Sequence, residues 1–279
     1  MSGTGGTGTA GKKGAGASAG AAAGTPRERY RAQVRAEIKE RAWEQIADAG
    51  ASALSLNAIA KRMGMSGPAL YRYFGSRDEL ITELIRDAYR SLADTFRSEA
   101  SKASKAAEAS EASEAAEASE ASEASEASEA SEASEASEAS EGSVGLASLA
   151  RALRRWAQAD PHRYFLVYGT PVPGYHAPDD VTEIASEIMS ALLDACAKLP
   201  GGTSGEAAGR PQPFERHIEA HAQWAGEHPA TPAQLHRALS FWTRLHGVLS
   251  LELAGHFTGM GFDAGALFEA ELEGLLAPA

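Results

Sequence analysis

The sequence has few of the features that mark secreted or membrane proteins. Among 279 residues there is one cysteine, Cys196, so no disulfide can form within the chain, as is usual in a reducing cytoplasm. Cys196 itself fits a small buried helical residue better than a redox sensor. No apolar run approaches the roughly 18 residues of a membrane span, and the Gly-, Thr- and Ala-rich N-terminus has no apolar signal-peptide core. We therefore expect a cytoplasmic, nucleoid-associated protein without a membrane partner.

Motifs for catalysis and metal binding are also missing. The chain has neither a phosphate-binding glycine loop nor a Gly-x-Ser-x-Gly elbow around a nucleophile. His217 and His221 are four residues apart on a predicted helix, but zinc proteases carry a glutamate directly after the first histidine, and here Glu219 comes one position too late. We expect no enzyme activity, no metal and no cofactor.

The formal charge of −12 is unevenly distributed. Residues 106–141 contain twelve Glu and no Lys or Arg, so the rest of the chain is neutral as a whole. Residues 26–77 hold ten Lys and Arg against five Asp and Glu, a local charge of +5. A locally basic domain is what binding to nucleic-acid phosphates requires.

Two segments have low complexity. Residues 1–25 predict a disordered tail, or alternatively an arm that touches a DNA minor groove, although their basic content is thin. Residues 101–142 are largely a Ser-Glu-Ala repeat, in which each Glu meets another at i+3 and no apolar stripe forms. We expect a disordered or transiently helical tether, either functionally neutral or screening nonspecific DNA binding.

A helix-turn-helix pattern lies between Ser55 and Phe74. Ser55 is a suitable N-cap, and Gly64 is expected to end the first helix in a left-handed conformation. Ser66 is expected to cap a second helix with Pro68 in its first turn. Leu56, Ile59, Ala60, Met63, Met65, Leu70 and Phe74 face the core, and Gly67, Ala69, Tyr71, Arg72 and Tyr73 face outward. A helix with such a narrow tip can enter a DNA major groove.

Together with the following Gly75-Ser76-Arg77-Asp78-Glu79-Leu80, these residues resemble the DNA-binding domain of the tetracycline-repressor (TetR) family over about residues 27–92. The family shows an Ile-Ala helix, a glycine turn, a Ser-capped helix with Leu-Tyr-x-His/Tyr-Phe, then Ser-Lys-x-x-Leu. Arg77 replaces the lysine, and Gly67 stands where Lys or Arg is frequent. The resemblance implies DNA contacts from Arg35, Ser55, Asn57, Ser66, Gly67, Pro68, Ala69, Tyr71, Arg72, Tyr73 and Arg77, with Tyr71, Tyr73 and Arg77 on phosphates.

Residues 143–279 predict a second helical domain for ligand binding and dimerisation, after a helix-turn-helix domain at residues 26–98. The stretch from Phe241 to Phe257 resembles the Trp/His/Gly-containing sensor domains of one TetR branch. In that family the last two helices form a four-helix dimer interface. Leu239, Trp242, His246, Leu249 and Leu253, spaced 3, 4, 3, 4, are the interface residues we expect, with His246 an interface histidine rather than a ligand.

The expected ligand pocket contains the aromatic residues Trp156, Tyr164, Tyr168 and Trp224, which could equally be ordinary core. Arg163 or Arg244 could anchor an anionic ligand or simply pair with a carboxylate.

The sequence therefore predicts an all-α homodimeric regulator, expected to act as a repressor, that binds double-stranded DNA at a near-palindromic operator and is released from it by a small lipophilic ligand. The alternatives are a DNA-binding dimer without a ligand, and an enzyme built on the second domain, for which no catalytic residues are found.

Overall fold

The computed structural model describes residues 25–120, 127–169, 171–172, 175, 178–199 and 213–277. Within these ranges the regular structure is all helix, which confirms the predicted all-α class. The α-helices are α1 (Pro26–Ala49), α2 (Leu56–Arg62), α3 (Gly67–Leu70), α4 (Arg77–Glu120), α5 (Ala127–Ala159), α6 (Pro161–Tyr168), α7 (Asp179–Ala197), α8 (Pro213–Glu219), α9 (Pro232–Leu253) and α10 (Ala264–Leu276), with 3₁₀ turns at Ala51–Ala53 and Ala222–Ala225. The predicted tail lies outside the described residues.

Helices α1 to α3 and the start of α4 form the head. Helix α1 begins with a capping box between Thr25 and Glu28 and ends at Gly50, whose φ is 79°. The head core is built from fully buried apolar side chains of all four helices. Its central members are Ile38, Ile59, Leu70, Phe74, Leu80, Ile81 and Leu84. The inward residues predicted for α2, α3 and the turn between them are therefore confirmed, apart from Met63 and Met65, which are only partly buried.

The turn between α2 and α3 forms as the sequence predicts, with one exception. The Ser55 hydroxyl accepts a hydrogen bond from the Ala58 amide at 3.4 Å and caps α2. Helix α2 ends at Arg62, and Gly64 follows with a φ of 66°. The prediction that the Ser66 side chain caps α3 is wrong, because its hydroxyl makes no capping hydrogen bond. Pro68 lies in the first turn of α3, as predicted.

The Ser-Glu-Ala repeat differs from the prediction of a disordered or transiently helical tether. Helix α4 continues through the first part of the repeat to Glu120, and α5 resumes at Ala127. Each helix is anchored in a packed core at its other end, by Phe96 in α4 and Leu146 in α5. Helix nucleation is the costly step, so an already folded end lets Ala- and Glu-rich sequence continue the helix. A repeat of this composition has no such packed end of its own, so its helicity cannot be predicted from the repeat alone.

The second half of α4 joins α5 to α10 in a helical bundle, which we call the sensor domain after the role expected from the sequence. Its core includes Trp156, Leu192, Phe241 and Phe268, all buried. Cys196 is fully buried, and burial raises the pKa of its thiol to about 12. The reading of Cys196 as a small core residue therefore matches its position.

The predicted dimer seam on α9 faces the chain's own bundle. Leu249 is fully buried, and Leu239, Trp242 and Leu253 pack against the same core from partly buried positions. The Nδ1 atom of His246 is hydrogen-bonded to the Tyr164 hydroxyl at 2.9 Å. Leu239, Trp242, His246 and Leu253 keep part of their surface exposed, so their assignment to an interface between chains stays a prediction. The 3–4 spacing identifies an apolar face without identifying everything that covers it.

Candidate functional site

The tip of α3 presents small and apolar residues at the surface of the head. Ser66 and Pro68 are exposed, Gly67 and Ala69 are partly exposed, and Leu70 is fully buried beneath them. The helical hydrogen bonds run on past α3, since the Tyr71 amide donates to the Gly67 carbonyl at 3.1 Å and the Phe74 amide to Leu70 at 3.3 Å. This arrangement leaves a slender tip free to approach another surface.

Gly67 marks a close approach between α2 and α3. A Cβ built on Gly67 would lie 3.2 Å from the Asn57 Oδ1 atom. Asn57 is itself exposed at the start of α2. The two predicted contact residues are therefore neighbours on one surface, and a side chain at position 67 would have to displace the Asn57 amide.

Two arginines of α1 hold the segment that follows α3. The Arg31 Nη2 atom donates to the Arg72 carbonyl at 3.1 Å, and the Arg35 guanidinium donates to the Tyr73 carbonyl. Tyr71 remains 46% exposed, and the Arg72 side chain is exposed as well. Main-chain anchoring thus leaves the Tyr71 and Arg72 side chains available at the surface.

Arg35 lies in a network rather than on an open phosphate-binding surface. Its guanidinium carbon lies 4.1 Å from the centroid of the Phe74 ring, and its Nη2 lies 3.4 Å from the Glu83 carboxylate. Glu79, 3.9 Å from Arg35, also accepts from the Gly75 amide at 2.6 Å. These contacts give Arg35 a positioning role in the head, which differs from the predicted direct DNA contact.

Arg77 is also directed inward. Its guanidinium donates to the carbonyls of Ala51, Ser52 and Leu54 at 2.9, 3.2 and 3.1 Å. These bonds tie the first turn of α4 to the 3₁₀ turn after α1. The sequence assigned Arg77 to a DNA phosphate by analogy with lysine, but a planar guanidinium can bridge several carbonyls where an ammonium group is a point donor.

In the sensor domain, two of the four predicted pocket residues come together and two do not. Tyr164 and Tyr168 lie against His246, with ring centroids 5.6 and 4.4 Å from the imidazole. Trp156 instead donates to the Ser91 hydroxyl at 3.1 Å within the core, and Trp224 packs from the 3₁₀ turn at 222–225. Trp242, assigned from sequence to the dimer interface, completes the cluster with its ring 4.2 Å from that of His246.

Burial keeps the titratable members of this cluster neutral. It lowers the pKa of His246 to about 4 and raises the pKa of Tyr164 to about 12. The pKa of Tyr168 is raised well above its ordinary value, first by burial and then by the neighbouring phenols. We define Tyr164, Tyr168, Trp242 and His246 as the aromatic cluster; at neutral pH it presents hydrogen-bonding groups without charge.

A separate cavity of about 590 Å³ lies between α4, α5 and α7. Its lining is mainly alanine and aliphatic carbon, with Leu149 at its wall and the Arg97–Glu187 ion pair at 2.8 Å on its edge. None of the four predicted pocket residues lines it. Predicted anchors for an anion are also engaged, since Arg163 pairs with Asp160 at 3.4 Å and Arg244 donates from Nε to Glu271 at 2.9 Å.

The architecture, a helix-turn-helix head on a helical bundle, defines a class of DNA-binding transcriptional regulators. Family models for bacterial regulatory proteins of the tetR family match residues 38–84, and for the tetracyclin repressor-like C-terminal domain residues 146–275. The chain belongs to the TetR family of transcriptional regulators, a class without enzymatic activity.

Curated relatives cover most of the chain. The HTH-type transcriptional regulators Rv1816 of Mycobacterium tuberculosis and Mb1846 of Mycobacterium bovis are each 34% identical over 255 residues, covering 88% of this chain and 92% of theirs. The crystal structure of a regulatory protein designated SCO4313 is 58% identical with a TM-score of 0.67, covering 91% of this chain and all of that one. A Rhodococcus sp. RHA1 protein of unknown function shares the fold at 18% identity, with a TM-score of 0.54 and coverage of 87% and 93%.

No helix in the described part of the chain is long and apolar enough to cross a membrane. The same residues contain no group of three or more histidine, cysteine or acidic side chains placed to hold a metal ion.

Proposed function

We propose that this TetR-family regulator acts as a homodimeric repressor that binds a near-palindromic operator and is released by a small lipophilic ligand. The observation that carries the DNA-binding part is the exposed tip of α3 above the buried Leu70. In this proposal Ser66, Gly67, Pro68 and Ala69 meet base edges or the adjacent backbone, together with Asn57. Such a protein would work where the chromosome lies, in the cytoplasm.

Phosphate binding is assigned to exposed groups around that tip. The Ser66 hydroxyl makes no capping bond, Tyr71 is 46% exposed, and Arg72 has no ion-pair partner among the described residues. Tyr73 is partly exposed, and its ring lies 5.8 Å from the Arg31 guanidinium carbon. Phosphate contacts orient the protein, while base contacts specify the sequence.

The dimer is assigned to the outer face of α9 and α10, in place of the buried seam. This face carries Thr243, Gly247 and Leu251 on α9, the C-cap residue Ala254, and Ala266, Ala270 and Gly274 on α10, all exposed. Leu251 is 45% exposed, and Met260 and Phe262, in the turn between the two helices, are 62% and 43% exposed. Small residues let two helix pairs approach closely, and a cluster of exposed large apolar side chains favours a partner surface.

Ligand control requires a physical connection between sensor and head, and α6 supplies it. Tyr164 and Tyr168 are four residues apart on one face of α6 and contact the bundle, while Leu166, on the opposite face, belongs to the head core. Two further contacts cross the junction: the Arg163 guanidinium carbon lies 5.9 Å from the Trp43 ring, and Arg86 of α4 binds Asp180 of α7 at 2.6 Å. A ligand that favours a shifted α6 would change the spacing of two heads.

The DNA-binding part is tested by gel shift and footprinting on the region upstream of the protein's own gene. Arg72→Ala should weaken binding to every sequence and reduce the slope of log K against log salt by about 1. Arg151→Ala, which removes an exposed arginine of α5 paired with Glu269, is the matched control and should leave the slope unchanged. A symmetric footprint with half-sites about one helical turn apart is expected. An unchanged slope for Arg72→Ala contradicts its assignment to phosphate.

Ligand responsiveness is tested separately by thermal shift against a lipophilic library. Stabilisation by a compound that also releases DNA supports ligand control. If no compound stabilises the protein while operator binding is specific, the ligand-free DNA-binding dimer is the better description.

A further inference from the structure

Two buried polar atoms in the aromatic cluster lack hydrogen-bond partners. The Tyr168 hydroxyl and the His246 Nε2 atom are both shielded from solvent and unpaired among the described residues. An unpaired buried polar atom is costly, so such atoms in a native fold require an explanation. Their rings are neighbours, with centroids 4.4 Å apart.

The surrounding hydrogen bonds favour one placement of the protons. The Ser250 hydroxyl donates to the His246 carbonyl, one helical turn earlier. The Tyr164 hydroxyl lies 2.9 Å from His246 Nδ1 and 3.4 Å from that carbonyl, and donation along the shorter contact makes Nδ1 the acceptor. A neutral imidazole that accepts at Nδ1 carries its hydrogen on Nε2. With this placement the unpaired groups are two donors, the Nε2–H of His246 and the O–H of Tyr168.

The chemistry around these donors selects an uncharged acceptor. A carbonyl oxygen has two lone pairs and can accept from both groups at once. The cluster offers no cation, since burial lowers the pKa of His246 to about 4, and an unpaired buried carboxylate would pay a large desolvation cost. Trp242 lies edge-on to Tyr168 at 5.8 Å and is partly exposed, so its displacement would open the cluster from the surface.

We infer that Tyr168 and His246 form the polar anchor of the ligand site, which takes the carbonyl oxygen of an uncharged lipophilic ketone or ester. The inference rests on the proposed ligand control and names the ligand class that exerts it. Because Tyr168 also lies 6.0 Å from Tyr89 of α4, a ligand at this anchor meets both α6 and the helix that leads to the head. The predicted pocket residues Trp156 and Trp224 take no part in the anchor.

Binding by the full-length protein is measured with 2-undecanone and methyl decanoate as probes, against undecane and decanoate. The two carbonyl compounds should raise the Tm of the wild type, and Tyr168→Phe should weaken their binding about 5- to 20-fold. The affinity for undecane should be the same in the wild type and in Tyr168→Phe, because undecane has no hydrogen-bond acceptor. Equal affinity of both proteins for the ketone and ester, tighter binding of decanoate than of the ester, or no binding of either carbonyl compound overturns the inference.

The Tm measured without any probe shows whether the Tyr168 hydroxyl already has a hydrogen-bond partner, for example a buried water. Tyr164→Phe removes a paired hydroxyl and should lower the Tm by about 2–4 °C, whereas Tyr168→Phe removes an unpaired one and should leave the Tm unchanged or raised. Equal loss in the two variants overturns the inference. Neither measurement uses DNA, so a failure of the proposed operator binding would be seen separately, as the absence of a gel shift with the wild type.

Discussion

His246 should make the folded protein sensitive to mild acid. Burial lowers its pKa to about 4 in the folded state, whereas an exposed histidine titrates near 6.5. As the pH falls from about 6.5 towards 4, the unfolded chain therefore takes up a proton that the folded chain does not. The folded state loses stability across this window and regains it at neutral pH.

The size of the effect follows from the two pKa values. Between pH 7 and pH 5 the linkage amounts to up to about 1.8 kcal/mol, and by pH 4 to about 3 kcal/mol. For a domain of this size, about 1.8 kcal/mol corresponds to a fall in Tm of roughly 4–7 °C. Protonation would make Nδ1 a donor to the Tyr164 hydroxyl, which would then have to donate to the His246 carbonyl at 3.4 Å, and Nε2 would remain an unpaired donor.

The assay is thermal unfolding of the wild type and of His246→Gln at pH 5, 6 and 7. His246→Gln lowers the Tm at every pH because it disturbs the cluster, but it should remove roughly 4–7 °C of the difference between pH 7 and pH 5. His256→Gln, at an exposed histidine just after α9, is the control and should keep the wild-type pH dependence. If His246→Gln and the wild type show the same pH dependence, His246 is not held neutral by burial.

Three further predictions concern the head, the dimer and the repeat. Arg77→Ala should lower the free energy of unfolding by about 1.5–3 kcal/mol, because three carbonyls lose a charged donor. In gel shifts it should leave the slope of log K against log salt unchanged, and a reduced slope would show that Arg77 binds a DNA phosphate. Leu251→Glu should give a monomer by light scattering and weaken operator binding, whereas Val144→Glu, at a more exposed apolar site on α5, should stay dimeric; a dimeric Leu251→Glu protein would contradict the proposed interface. Replacing residues 106–141 by a short Gly-Ser loop should change operator affinity by no more than a few-fold, and a larger loss would give the repeat a role.

Much of the head could be predicted because its signals are local. The Ser55 cap, the Gly64 turn and the inward placement of Leu70 and Phe74 depend on neighbours within a few residues. The contacts of Arg35 and Arg77 could not be predicted from neighbouring residues. Their partners lie 38 and 23–26 residues away along the chain, so only the folded head shows that these guanidinium groups bind carbonyls.

In the sensor domain, too, the sequence predicts which face of a helix is packed but not which residues cover it. The apolar spacing of α9 correctly indicated a packed face, but the spacing is identical whether the cover is another chain or the chain's own α5 and α7. Leu249 is covered from within, and the partly buried His246 contacts Tyr164 of α6. The opposite face of α9, where Gly247 and Leu251 remain exposed, is the one left for a second chain in the proposed dimer. A helix apolar on two sides in sequence therefore predicts two contacts, and only the fold assigns each contact to its partner.

Under the proposed ligand control, α6 would connect the helical bundle to the head through few residues. Tyr164 and Leu166 are two residues apart, and two residues turn an α-helix by about 200°, which places them on opposite sides. One side belongs to the sensor core and the other to the head core. A rotation or shift of α6 that accommodates a ligand beside Tyr168 must therefore move Leu166 within the head. Because packed cores deform little without repacking, such a shift would be passed to the heads rather than absorbed.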